Sequence, residues 1–216
     1  MEFHSRIARK AGVISFWSLF VVPISLAQAN HVHAAILTKD KPVGTVDISA
    51  TLLSNGRLAE TRDETRKSGD TMAVHTLYAK SAKPVEIKVQ LTGKQTGHVF
   101  ITFGKSAVTI SALIGKQSET DTKEYPKGAD FQATSHFWFV RDRPKVGATC
   151  SYSAFDLGKM DWKTLTDTYV GDVTLTYRGK HVTAHKITNQ EITQLLDDRG
   201  LPYRVDGTDG TDYVRD

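Results

Sequence analysis

The chain is dominated by period-two alternation of apolar and polar side chains, interrupted at short intervals by turn formers. Val46, Ile48, Ala50 and Leu52 are separated by Asp47, Ser49 and Thr51, and Val85, Ile87, Val89 and Leu91 by Glu86, Lys88 and Gln90. Side chains on a strand point alternately to opposite faces, so each run predicts a strand with one buried and one wet face. Further β-rich runs cover Met72 to Ala79, His98 to Phe103, Ala107 to Ile114 and Phe131 to Val140, with Ser68-Gly69-Asp70, Gly93-Lys94, Gly104-Lys105 and Pro126-Lys127-Gly128 between them. In the last third, Val173, Leu175 and Tyr177 lead through Arg178-Gly179-Lys180 into His181 to Ile187, a hairpin. Leu201, Tyr203 and Val205 give another strand, and Thr211 to Val214 a last one. These features predict a mainly β fold, an antiparallel meander closed or curved on itself, with little helix.

One stretch reads two ways. Thr188-Asn189-Gln190-Glu191 has the spacing of a helix capping box ahead of Ile192, Leu195 and Leu196, with Gly200 placed to end the helix. The same residues also fit a strand over Glu191 to Asp197 joined to Leu201 by a turn at Asp198-Arg199-Gly200.

The N-terminus has a different character. Arg6, Arg9 and Lys10 stand against one acid, Glu2, and precede an uncharged, mostly apolar run from Ala11 to Leu26 and then Ala27-Gln28-Ala29. A basic segment, an apolar segment and a small-x-small ending predict a cleavable signal peptide over residues 1–29. Pro23 and that ending weigh against a retained membrane anchor. The expected organisation is this leader, a flexible mature N-terminus over 30–40, and one β domain over 41–216. The expected location is periplasmic or extracellular, without a stable membrane anchor after cleavage.

Without the leader, 25 Lys and Arg face 23 Asp and Glu. The charges are interspersed, as in Glu60-Thr61-Arg62-Asp63-Glu64-Thr65-Arg66-Lys67, which reads as a solvated surface and argues against nucleic acid as a partner. Cys150 is the single cysteine, so the domain is not disulfide-stapled. Thr149, Ser151 and Tyr152 supply no charge to activate a thiolate, and Cys150 reads as a small buried strand residue.

No motif specifies a reaction, a metal or a cofactor. Gly97 and Gly104-Lys105-Ser106 are spaced wrongly for a phosphate-binding loop and precede a strand. His181 and His185 would lie about 13 Å apart on a strand, too far to share an ion. His31 and His33 could join a free α-amino group in binding copper or nickel, but chance histidines at a terminus explain them as well. Asp206, Asp209 and Asp212 among glycines lack the distal glutamate of a calcium loop and fit a turn. Asp197 and Asp198 would face opposite ways on a strand, and no Gly-x-Ser-x-Gly or His-Glu-x-x-His pattern is present. No catalytic residue is assigned.

The aromatic segment carries more weight. His136-Phe137-Trp138-Phe139-Val140 is apolar on both faces of a predicted strand, and Tyr152, Phe155 and Trp162 follow closely. Such a strand lies between two layers or lines a cavity. Trp138, Tyr152 and Trp162, with His136 and Lys145 as polar neighbours, are therefore the candidate ligand contacts.

Two stretches carry a resemblance. Trp138-Phe139-Val140, Arg143-Pro144-Lys145-Val146-Gly147 and Tyr152 to Asp156 form one. Gly179-Lys180-x-Val182-x-Ala184-His185-x-Ile187 with Leu196-Asp197-Asp198-Arg199-Gly200-Leu201-Pro202 form the other. Over about the last 80 residues the chain resembles secreted, largely uncharacterised β-proteins of the broad superfamily of periplasmic lipoprotein carriers. The resemblance implies a strongly curved antiparallel half-barrel, and strand rather than helix over Glu191 to Asp197. In the carriers the concave side receives acyl chains, while a pigment-pathway enzyme of the superfamily acts on an aromatic intermediate.

Three functions follow as expectations. The first is an exported envelope protein that binds a hydrophobic or amphipathic, lipid-like ligand on the concave face. The second is an enzyme for a small aromatic or lipid-like substrate using His136 or Lys145. The third is an envelope assembly protein that recruits a protein partner through a strand edge.

Overall fold

A computed structural model describes residues 30–81, 83–131, 138–139, 142–156, 159 and 161–216. The expected leader over 1–29 and the candidate contact His136 lie outside these residues. Fourteen strands follow in order: β1 (Asn30–Thr38), β2 (Lys41–Leu52), β3 (Leu58–Arg66), β4 (Thr71–Tyr78), β5 (Pro84–Thr92), β6 (Gly97–Phe103), β7 (Ala107–Ile114), β8 (Gln117–Glu124), β9 (Thr149–Asp156), β10 (Asp161–Tyr177), β11 (Lys180–Thr188), β12 (Ile192–Leu196), β13 (Pro202–Gly207) and β14 (Thr211–Arg215).

They make one antiparallel sheet in the order β8-β7-β6-β5-β4-β3-β2-β1-β14-β13-β12-β11-β10-β9. Every neighbour is also a sequence neighbour except β1 and β14, which pair through Ala34–Arg215, Ile36–Tyr213 and Thr38–Thr211. The first and last strands thus sit at the centre of the sheet. Its two edges, β8 and β9, are consecutive in the chain but do not pair with each other. The sheet is curved and unclosed, as the alternation and the resemblance led one to expect.

Tracing the register shows one face that turns inward. It carries Ile48, Arg62, Val74, Val89, Val99 and Ala112 in one direction, and Ile36, Tyr213, Val205, Gln194, Ile187 and Tyr169 in the other. All of these are buried, most of them in two large apolar clusters. One is built on β1, β2 and β12 to β14, and the other on β4 to β7. Fourteen strands in a round barrel would enclose more space than their side chains fill. Here contacts cross the interior instead. Arg62 on β3 bonds the Tyr213 hydroxyl on β14. Tyr152 on β9 lies close enough to Tyr78 on β4 to perturb it, although eight strands separate β4 from β9 in the sheet order.

Several expectations need correction. Asn30–Thr38, read as a flexible terminus, is β1, whose Val32, Ala34 and Ile36 are core residues. Its neighbours include β14 from the far end of the chain, a pairing that local sequence does not announce. The mixed-charge run at Glu60 is strand β3, with Asp63 and Thr65 on its wet face but Glu60, Arg62 and Glu64 buried, Arg62 paired with Glu64. Trp138 and Phe139, read as strand, have helical backbone. The Arg143 N–H donates to the Phe139 carbonyl at 3.0 Å, closing one helical turn. Arg143 ends it with φ near 43°, just before Pro144. Both rings are buried, which explains why the segment looked apolar on two faces.

The ambiguous stretch resolves as strand β12. Asn189 Oδ1 accepts the N–H groups of Glu191 and Ile192 at 2.8 and 3.0 Å, so the capping signal caps a tight turn between β11 and β12. The Arg178-Gly179 hairpin turn has φ of 49° and 73°, the left-handed pair that a two-residue β-hairpin loop needs. Asp206, Asp209 and Asp212 frame the β13–β14 turn, where Asp209 accepts the Thr211 N–H and Asp212 the Gly207 N–H.

Candidate functional site

The edges β8 and β9 approach each other at one end of the sheet, and side chains rather than a ladder join them there. The Trp162 indole N–H, at the start of β10, donates to the Glu124 carbonyl at the end of β8 at 2.7 Å. The Ser153 N–H donates to the Asp130 carbonyl at 2.8 Å. Around these bonds four rings pack together. Trp162 lies 5.4 Å from Tyr125, 5.3 Å from Phe131 and 5.0 Å from Phe155, and Tyr125 lies 4.7 Å from Phe131. Phe131 is buried, while the other three are half-exposed. Burial raises the Tyr125 pKa above its ordinary value.

The faces involved show how the sheet ends meet. Tyr152 and Leu165 are cross-strand partners on the inward face of the β9–β10 hairpin, and Phe155 and Trp162 are partners on its opposite face. Yet Phe155 and Trp162 pack against the inward-facing cluster of β4 to β7. The hairpin tip therefore tucks beneath the β6–β8 end, and the sheet overlaps itself as a scroll.

Charge is distributed unevenly at this seam. Lys163 Nζ bonds both Glu191 oxygens at 2.6 and 2.7 Å and lies 3.6 Å from Asp156. Lys83 Nζ instead sits 5.3 Å from the centroids of both Tyr125 and Phe131, a cation over two ring faces.

A second polar group fills the interior. Glu60 is 1% exposed, with Arg62 and the Tyr78 hydroxyl as polar neighbours, and neither of its oxygens reaches a hydrogen bond in good geometry. Burial pushes its carboxyl well above the usual carboxylate range, against the opposing pull of Arg62. Arg62 bonds Glu64 and the Tyr213 hydroxyl. Burial works against the Arg62 charge, but Tyr213 and Glu64 outweigh it. Burial likewise pushes the Tyr213 phenol up to about 12. Arg62, Glu64 and Tyr213 engage one another across the concave face, so this part of it is occupied by their side chains.

The two motif stretches that carried the resemblance converge at a third place. His185 lies between carboxylates, with Nδ1 2.7 Å from Asp172 and Nε2 2.9 Å from Asp198. The Tyr169 hydroxyl donates to Asp172 at 2.6 Å, Phe139 lies 4.7 Å from the imidazole centroid, and Arg143 donates to the Asp198 carbonyl at 2.7 Å. Burial, then the bond to Asp172, raises the Tyr169 pKa to about 12. The same bond, then the one to His185, holds Asp172 below the usual range. This network fastens the Trp138–Phe139 turn and the β12–β13 turn to β10 and β11.

The sequence candidates are not brought together. Trp138 packs with Phe139, Tyr169, Ile187 and Leu196. Tyr152 packs with Leu165. Trp162 stands at the seam, and Lys145 is exposed in the turn before β9. Cys150, expected to be buried, is half-buried on β9 beside both of the first two groups. His31 and His33 project from the outer face of β1 to one Asp47 oxygen, at 3.0 and 2.8 Å. Among the described residues no three His, Cys, Asp or Glu side chains are arranged to hold a metal ion, and no helix is long and apolar enough to cross a membrane. The sequence reading missed Tyr125, Phe131 and Lys83. Tyr125 and Phe131 flank the Pro126-Lys127-Gly128 turn, and aromatic residues on both sides of a turn were the available signal.

No family model matches the chain, and no curated protein matches it in sequence. Among solved structures it is similar to a β-barrel-like protein of the domain of unknown function DUF1849 from Brucella abortus. The TM-score is 0.54 at 8% identity, covering 90% of this chain and 95% of that one. At that identity the likeness speaks for the fold.

Proposed function

We propose that this is an exported envelope protein that binds a hydrophobic or amphipathic ligand without transforming it. In this reading the leader carries it to the periplasm or beyond, and it is a distant member of the lipoprotein-carrier-like superfamily. The observation that carries the reading is the seam, where the sheet's free edges are joined by aromatic side chains and isolated hydrogen bonds. Parting a ladder breaks a row of backbone hydrogen bonds, each worth about 1 kcal/mol net. Parting this seam breaks few among the described residues, and the apolar surface it uncovers is what an acyl chain or other apolar group would cover again. The packed, charged interior speaks against the whole concavity as the pocket, so the ligand contacts are Trp162, Tyr125, Phe155 and Phe131. Trp138 and Tyr152 act as core.

Native mass spectrometry of protein purified from its own envelope tests this reading. A co-purifying small apolar or amphipathic molecule is the expected result. Protein that carries no such molecule and whose tryptophan emission ignores added lipids and fatty acids would refute it.

A further inference from the structure

We infer that the seam ligand is a single-chain amphiphile with an anionic head, and that Lys83 is the residue that selects the head; this rests on the seam reading above. Lys163 and Lys83, both near the four-ring cluster, are used differently. Lys163 is neutralised by Glu191 and Asp156. Lys83 has no carboxylate within ion-pair distance among the described residues, and its ammonium rests over Tyr125 and Phe131.

A cation over one half-exposed and one buried ring gains about 0.5–2 kcal/mol, whereas a hydrogen bond to a charged group is worth about 1.5–3 kcal/mol. An anion arriving at the seam therefore offers Lys83 a better partner than it has. The apolar part of the same molecule would lie on Trp162, Phe155 and Tyr125, next to the cluster of Val108, Ile110 and their neighbours. A neutral lipid would leave the ammonium where it is, and a cationic one would meet repulsion. Carboxylate and phosphate heads satisfy the same chemistry, three N–H donors facing anionic oxygens.

The test follows Trp162 emission in a chain with Trp17→Phe and Trp138→Phe, which leaves Trp162 as the single tryptophan. Laurate, dodecyl phosphate, monolauroylglycerol and dodecyltrimethylammonium are titrated below their micelle concentrations. Equilibrium dialysis of labelled laurate against the unmodified protein provides a readout that does not depend on those substitutions. Laurate, dodecyl phosphate or both should bind more tightly than the neutral and cationic probes, and Lys83→Gln should weaken the anions about tenfold while leaving monolauroylglycerol unchanged. The tighter of the two anions identifies the head. Anion binding that Lys83→Gln does not weaken, or neutral binding as tight as anionic, would overturn the role of Lys83 and leave the seam reading standing. No response to any probe, in emission or dialysis, would overturn both.

Discussion

The indole N–H of Trp162 donates to the main-chain carbonyl of Glu124 at 2.7 Å, joining β10 to β8 across the one place where the sheet does not close. In a closed barrel a ladder would do this, and the N–H of one side chain could be lost without effect. Here that bond is part of what holds the seam. Trp162→Phe, which keeps a ring but removes the donor, should lower stability by about 1 kcal/mol. Hydrogen exchange in β8 should accelerate more than in β2. Chemical unfolding and exchange mass spectrometry read the two effects.

Arg62 is buried between Glu64 and Tyr213. Arg62→Met keeps the length of the side chain but leaves Glu64 with the half-buried Arg66, 3.0 Å away, as its cation, and should cost about 1–3 kcal/mol, measured by urea unfolding. Arg66→Met in the same chain, which leaves the buried Glu64 carboxylate without either arginine, should cost more than the two single changes summed.

Glu60 gives a pH dependence of opposite sign to the usual acidic residue. Burial raises its folded pKa well above its ordinary value near 4.5. The folded state therefore holds a proton that the unfolded chain releases. Its contribution is fully present below the ordinary pKa and is lost as pH rises through the raised one. Glu60→Gln, neutral at every pH, should be more stable than the natural chain at pH 8, and the difference should vanish near pH 4. Thermal unfolding at the two pH values measures it.

The network around His185 should behave as a fastening. His185→Ala removes the imidazole between Asp172 and Asp198 and leaves Asp172 its bond from Tyr169. It should cost about 1 kcal/mol in unfolding free energy and speed exchange at Phe139 and in 142–148, with little change in β4 to β7. Asp172, whose pKa lies below the usual range, adds stability above the ordinary carboxylate pKa that is lost as pH falls through the depressed one. The gap between natural and His185→Ala chains should therefore narrow in acid.

How much of this was legible in the sequence depended on whether a strand's buried face was apolar. β2 and β5 were read from alternation alone because Val46, Ile48, Val89 and Leu91 face the core. β3 was hidden because its core-facing residues, Glu60, Arg62 and Glu64, are ionisable types, and only the fold shows that Arg62 and Glu64 pair while burial favours the protonated form of Glu60. β1 alternates less cleanly than β2, since Ala34-Ala35-Ile36-Leu37 is apolar on both faces, and its place beside the last strand is non-local. Trp138 and Phe139 were recognised as buried and assigned the wrong backbone, since a short apolar run does not distinguish a strand from a helical turn. Of the site, Trp162 was found by aromatic clustering. Lys83 was not, because nothing local distinguishes a lysine that meets no carboxylate among the described residues from one, such as Lys163, that meets two.

If the β8–β9 seam opens and takes the ligand, hydrogen exchange over Gln117–Glu124 and Thr149–Asp156 with and without laurate reports it. The expected result is fast exchange at both edges in the free protein and slowing confined to these strands and Tyr125 when laurate is added. Edges that are already protected, or protection that appears instead around Glu60 and Tyr213, would contradict it.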